Sequence, residues 1–113
     1  MGVSKAVPIV LGGEEHALRF TNHAICELED RFGITMVEAG EKLSRGSLKT
    51  IAALVWAGLL HETKPPKFDR VRDMLDLKDL ETPAQALADA MIEAFGKPEA
   101  EPAEGNQVPA VAA

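Results

Sequence analysis

The chain has 113 residues, enough for one small domain and too few for two. Its 12 basic side chains are outnumbered by 18 acidic ones, a formal charge of −6 that argues against nucleic-acid or anionic-membrane binding, which need a cationic face. One cysteine cannot close an internal disulfide, and an N-terminus with a single lysine and no long apolar stretch predicts no secretory signal, so the cytoplasm is the expected location.

Residues 7–20 read as a β-hairpin. Val7-Pro8-Ile9-Val10-Leu11 is a short β-branched run, and Gly12-Gly13 suits a tight turn because glycine tolerates positive φ. The returning run His16 to Phe20 places Leu18 and Phe20 on one face and Arg19 on the other. Pro8 cannot donate to a ladder, which puts the first strand at an edge.

Helices follow. Thr21 or Asn22 caps a first helix that runs to about Phe32, where Gly33 supplies a left-handed stop. Its apolar stripe is Ala24, Ile25, Leu28 and Phe32. Thr35 and Glu38 have the spacing of a capping box and open a second helix over about Met36 to Leu43. After Ser44-Arg45-Gly46, Ser47 caps a third helix reaching about Glu62, which Pro65-Pro66 prevents from continuing. Asp69 opens a short fourth helix with Val71, Met74 and Leu75. In the last helix Thr82 reads as the cap, Pro83 as the first helical residue and Gln85 as the partner in the box. That helix runs to Phe95, with an expected buried stripe of Ala84, Leu87, Ala88, Met91, Ile92 and Phe95. The expected fold class is α+β: an N-terminal hairpin on a small bundle of about five helices. One globular domain spans 1–96. Residues 97–113, rich in Pro, Ala and Glu, read as a disordered acidic tail.

The third helix carries most of the information. Ile51 to Leu60 is an unbroken apolar run, about half the length that crosses a bilayer, so no membrane span is expected. A helix apolar all round must be covered all round. Either it is a central helix wrapped by the rest of the chain, or one flank is left for a partner. The partner-binding positions on the second reading are Leu54, Trp56 and Leu60, with tryptophan the natural anchor.

Chemistry-bearing constellations are sparse. His23 and Cys26 stand three apart on the first helix, with no acid fixed by spacing to orient them. His16, His23, His61 and Glu62 lack the HxxH or HExxH spacing of a metal site. Gly12-Gly13 is not followed by the Gly and Lys of a phosphate loop. The Ser44-Arg45-Gly46 break suggests a helix-turn-helix, yet the would-be reading helix offers only Lys49. No catalytic residue, cofactor, metal or nucleic acid is expected.

The segment Leu18-Arg19-Phe20-Thr21, then Ala24-Ile25-Cys26-Glu27-Leu28-Glu29 and Phe32-Gly33, leads into Leu43-Ser44-Arg45-Gly46-Ser47-Leu48-Lys49 and the apolar run to Leu60. Over Val7 to Glu62 this resembles the tail assembly chaperones of siphophages and gene transfer agents, one branch of which also carries the label tail tube protein. The resemblance implies a non-enzymatic assembly factor in the bacterial host cytoplasm. Its partners would be the tape-measure protein, which it coats, the tail tube protein that displaces it, and further copies of itself. Many such proteins are made in two lengths by a programmed ribosomal frameshift, and the C-terminal tail matches the region where a longer form would diverge. The resemblance supplies no binding residues; apolar surface on the third helix, and on the back of the last one, would serve the role. The alternative is a tube or connector subunit retained in the virion.

Overall fold

In the computed structural model, residues 5–96 are described. The expected acidic tail at 97–113 lies outside them. Strands β1 (Val7–Leu11) and β2 (Glu14–Leu18) form an antiparallel two-stranded sheet, followed by α1 (Asn22–Phe32), α2 (Met36–Ser44), α3 (Leu48–Gly58), α4 (Phe68–Met74) and α5 (Glu81–Phe95). This is the α+β hairpin-and-five-helix arrangement that the sequence pattern predicts.

Local chemistry places most of the boundaries. Gly12 and Gly13, at φ 55° and 83°, turn the hairpin so that Leu11 pairs with Glu14 and Val7 with Leu18. The Thr21 hydroxyl accepts from the Ala24 amide at 3.1 Å, and Gly33 closes α1 in the left-handed region at φ 64°. At α2 both halves of the capping box form: Thr35 Oγ1 accepts from the Glu38 amide, and Glu38 Oε1 accepts from the Thr35 amide. Ser47 caps α3 through the Thr50 amide.

The core is built around α3. Every residue from Thr50 to Leu59 is buried, and α1, α2, α4, α5 and β2 all pack on this helix. One hydrophobic cluster joins it to Ile9 and Leu11 of β1, Leu18 of β2, Leu28 of α1, Ala39 of α2, Val71 of α4 and Leu87 of α5. Of the two readings of the apolar run, burial supports the central helix.

Four boundaries and one face depart from expectation. The returning strand covers Glu14–Leu18 rather than His16 to Phe20, because the turn takes only the two glycines and pairing starts at Glu14. The third helix stops at Gly58 rather than near Glu62, because the Gly58 carbonyl accepts instead from the Arg19 amide at 2.9 Å. Beyond it the chain tightens into turns, Leu60 to Ala57 and Glu62 to Leu59. The fourth helix begins at Phe68, one residue before Asp69.

Thr82 is not the cap of the last helix. It lies inside the first turn, where its amide and hydroxyl both donate to the Asp79 carboxylate, at 3.2 Å and 2.8–3.0 Å. Asp79 therefore satisfies the free amide. Pro83 sits in the third helical position, where its missing N–H leaves no bond unmade, and Gln85 donates to Asp89 rather than closing a box. The buried face of α5 is Pro83, Ala86, Leu87 and Ala90. Of the expected stripe only Leu87 is fully buried, while Ile92 and Phe95 are 36% and 55% exposed.

Gly58 is where the hairpin meets the core. A Cβ there would stand 2.8 Å from Leu18 Cδ2, and Leu18 itself has no exposed surface into which to retreat. Gly58→Ala should therefore destabilise the fold by about 1–3 kcal/mol, despite alanine's better helix propensity. Urea unfolding at constant m-value checks this; an equal or more stable variant would show that the hairpin can shift away from α3.

Candidate partner-binding surfaces

The three positions expected to face a partner have different fates. Leu54 is fully buried and Trp56 is 4% exposed, so neither presents a free surface; Leu60 is half-buried. The chain itself covers Trp56. Phe32 of α1 meets the indole edge-on, with ring centroids 5.6 Å apart, and continues to Phe68 of α4 at 5.0 Å. The Arg31 guanidinium lies over the indole at 4.9 Å, a cation–π contact. These contacts join residues far apart in sequence, which is why helical spacing alone left that flank open.

What remains is an open groove of about 480 Å³ with Trp56 and Leu60 in its lining. Glu27 and Arg31 of α1 form one wall; Pro65, Pro66, Lys67, Phe68 and Asp69 form the other. The Pro65-Pro66 break is thus part of the groove as well as the stop between helices. Its rim carries both signs of charge, so charge selects no ligand there.

The histidines go to separate places. His16 turns Nδ1 to both oxygens of Glu62 at 3.1 Å, and Nε2 lies 3.4 Å from Glu14, which also accepts from Arg70 of α4 at 3.1 Å. This chain of contacts ties the turn after α3 to β2 and α4. His61 Nε2 donates to the Ala17 carbonyl at 2.7 Å, anchoring the outer edge of β2. His23 and Cys26 are exposed on α1. Among the described residues no group of three or more His, Cys, Asp or Glu side chains could hold a metal ion. No helix among them is long and apolar enough to cross a membrane.

The second surface is the outer side of α5, where Ile92 and Phe95 are exposed. Sequence periodicity finds these apolar residues but assigns them to the core, because α5 is apolar over more of its circumference than the core covers.

A family model described as "Phage tail tube protein, GTA-gp10" matches residues 4–97. The chain belongs to that family. The match runs from before the hairpin to the residue after Gly96, so it takes in the Pro65-Pro66 linker and α5 as well as the hairpin and α3. No curated protein and no solved structure matches the chain. Membership gives the protein a tail-related role in phages or gene transfer agents, structural or in assembly.

Two outcomes follow from the geometry. Trp56→Ala should cost about 3–5 kcal/mol, the loss of a buried tryptophan, while Leu60→Asp at the groove should cost less, about 1–3 kcal/mol. Denaturant titration of both variants checks the order; a stable Trp56→Ala would mean that the indole is not part of the core. The second outcome concerns acid. Hydrogen bonds from His16, then the bond and charge of Arg70, hold the Glu14 carboxyl below its ordinary value of 4.5. Thr35 does the same for Glu38 through its amide and hydroxyl. A lowered folded value means stabilisation that is complete above the unfolded value and lost as pH falls through the folded one. Melting temperature should therefore drop as pH falls below about 4.5, and the drop should be shallower in Glu14→Gln. Identical slopes would remove Glu14 from the acid response.

Proposed function

We propose that the protein is a non-enzymatic tail assembly chaperone, acting in the bacterial host cytoplasm on the tape-measure protein before the tube polymerises around it. The observation that carries this reading is the exposed apolar side of α5 beside a fold whose core helix is already enclosed. Large exposed apolar residues among those described are few: Val10, Val37, Leu77, Ile92 and Phe95. A permanent tube subunit needs obligate interfaces of roughly 2,000 Å² or more, rich in apolar surface. A small apolar strip fits a contact that forms, holds an insoluble client and is then displaced. Of the three expected positions, Leu60, in the turn after α3, is the one able to touch a partner directly, at the groove; Leu54 and Trp56 act from inside the fold.

The second reading is a tube or connector subunit that stays in the particle, and the family description favours it. Co-expression with the tape-measure protein separates the two. The chaperone reading expects a soluble complex where the tape-measure protein alone precipitates, and no copy of this chain in purified mature particles. Abundant chain in the particles, or tube-like polymers of the purified protein, would transfer the assignment to the structural role.

A further inference from the structure

The helix α5 has two apolar faces. At roughly 3.6 residues per turn, Ala84, Ala88, Met91, Ile92 and Phe95 share an arc of about 100°, separate from the arc of Pro83, Ala86, Leu87 and Ala90 that enters the core. Ile92 and Phe95 are 36% and 55% exposed, and the other three are half-buried. Scattered exposed apolar residues are ordinary, as Val37 on α2 is. An arc of this width is what a helix offers to another helix. The short Ala84 and Ala88 leave a shallow trough, closed at its C-terminal end by the three larger side chains.

Charge selects the occupant. The polar residues beside the strip are Glu81, Gln85 and Asp89, and no lysine or arginine occurs from Glu81 to Phe95. Glu81 stands at the N-terminal end of the strip and Asp89 beside Ile92, three residues before it. Neither carboxylate has an ion-pair partner among the described residues. A second copy docked here would set one acidic rim against another.

We propose that the outer face of α5 docks a basic amphipathic helix of a partner protein, its apolar stripe on Ala88, Met91, Ile92 and Phe95 and its lysines or arginines against Glu81 and Asp89. The inference deepens the assembly reading and rests on it for the expectation that the partner is a tail protein.

The probe is a labelled leucine–lysine peptide with helical amphipathic spacing, titrated into the full-length chain, with a leucine–glutamate peptide as its counterpart. The lysine peptide should bind, more weakly as salt rises, and the glutamate peptide should not. Ile92→Ser/Phe95→Ser should weaken binding by about tenfold or more with the melting temperature unchanged, since both side chains are outside the core. Glu81→Gln/Asp89→Asn should flatten the salt dependence, and Val37→Ser should alter nothing. Equal binding of both peptides, or full binding by the Ile92/Phe95 variant, overturns the proposal. So does a wild-type dimer in sedimentation that the same variant dissolves, since a second copy would then occupy the face. The tape-measure complex separates this idea from the functional reading. A complex that survives Ile92→Ser/Phe95→Ser removes α5 and leaves the chaperone role. Peptide binding through α5 without a tape-measure complex leaves the surface and removes that client.

Discussion

A helix without a polar side can persist in water only when other structure surrounds it, and that requirement organises this molecule. The run Ile51 to Leu59 must be covered on every side, and five other elements meet around it. The hairpin reaches it where Leu18 fills the space a Cβ at Gly58 would need, and the Arg19 amide donates to the Gly58 carbonyl. That bond also ends the helix. The aromatic chain Trp56, Phe32, Phe68 then fastens α1 and α4 to the same core.

Features set by neighbouring residues are legible in the sequence. The Gly12-Gly13 turn, the Thr21 and Ser47 caps, the Thr35–Glu38 box and the Gly33 stop each involve groups within about four positions, so spacing suffices to find them. What spacing misses is set at a distance or has a local competitor. Nothing near Gly58 announces that its carbonyl is claimed by Arg19. Asp79 and Thr82 are both good caps, and only the path of the chain decides that the aspartate accepts while the threonine donates. Trp56 looked available because Arg31, which lies over it, belongs to another helix.

The face of α5 is a subtler case. Apolar residues occupy both sides of this helix, so periodicity finds an amphipathic pattern without fixing which side meets the core. The deciding fact is tertiary: β1 and α3 lie against Pro83, Ala86, Leu87 and Ala90. The strip chosen from sequence contains the right residue types for a buried face and turns out to be the one left at the surface. A surplus of apolar surface on a packed helix is itself the signal of a partner, visible only once the core side is known.

The division of labour between α3 and α5 has a physical basis. Because α3 is enclosed, its large side chains bear on stability, and altering them disturbs the whole core. Ala84, Ala86, Ala88, Ala90 and Ala94 give α5 high intrinsic helix propensity, so it needs only one packed face to remain helical. Alanines on the other side expose little apolar area, which limits non-specific association while leaving room for a helix to approach closely. The acidic rim adds selection by charge without a buried ion pair, whose desolvation would weaken the very contact it orients. A surface of this kind can change partners by substitution at Ile92, Phe95, Glu81 or Asp89 with Leu87 still seated in the core. On the proposed reading, the grip on a client sits on α5, whose apolar outer side the core leaves uncovered.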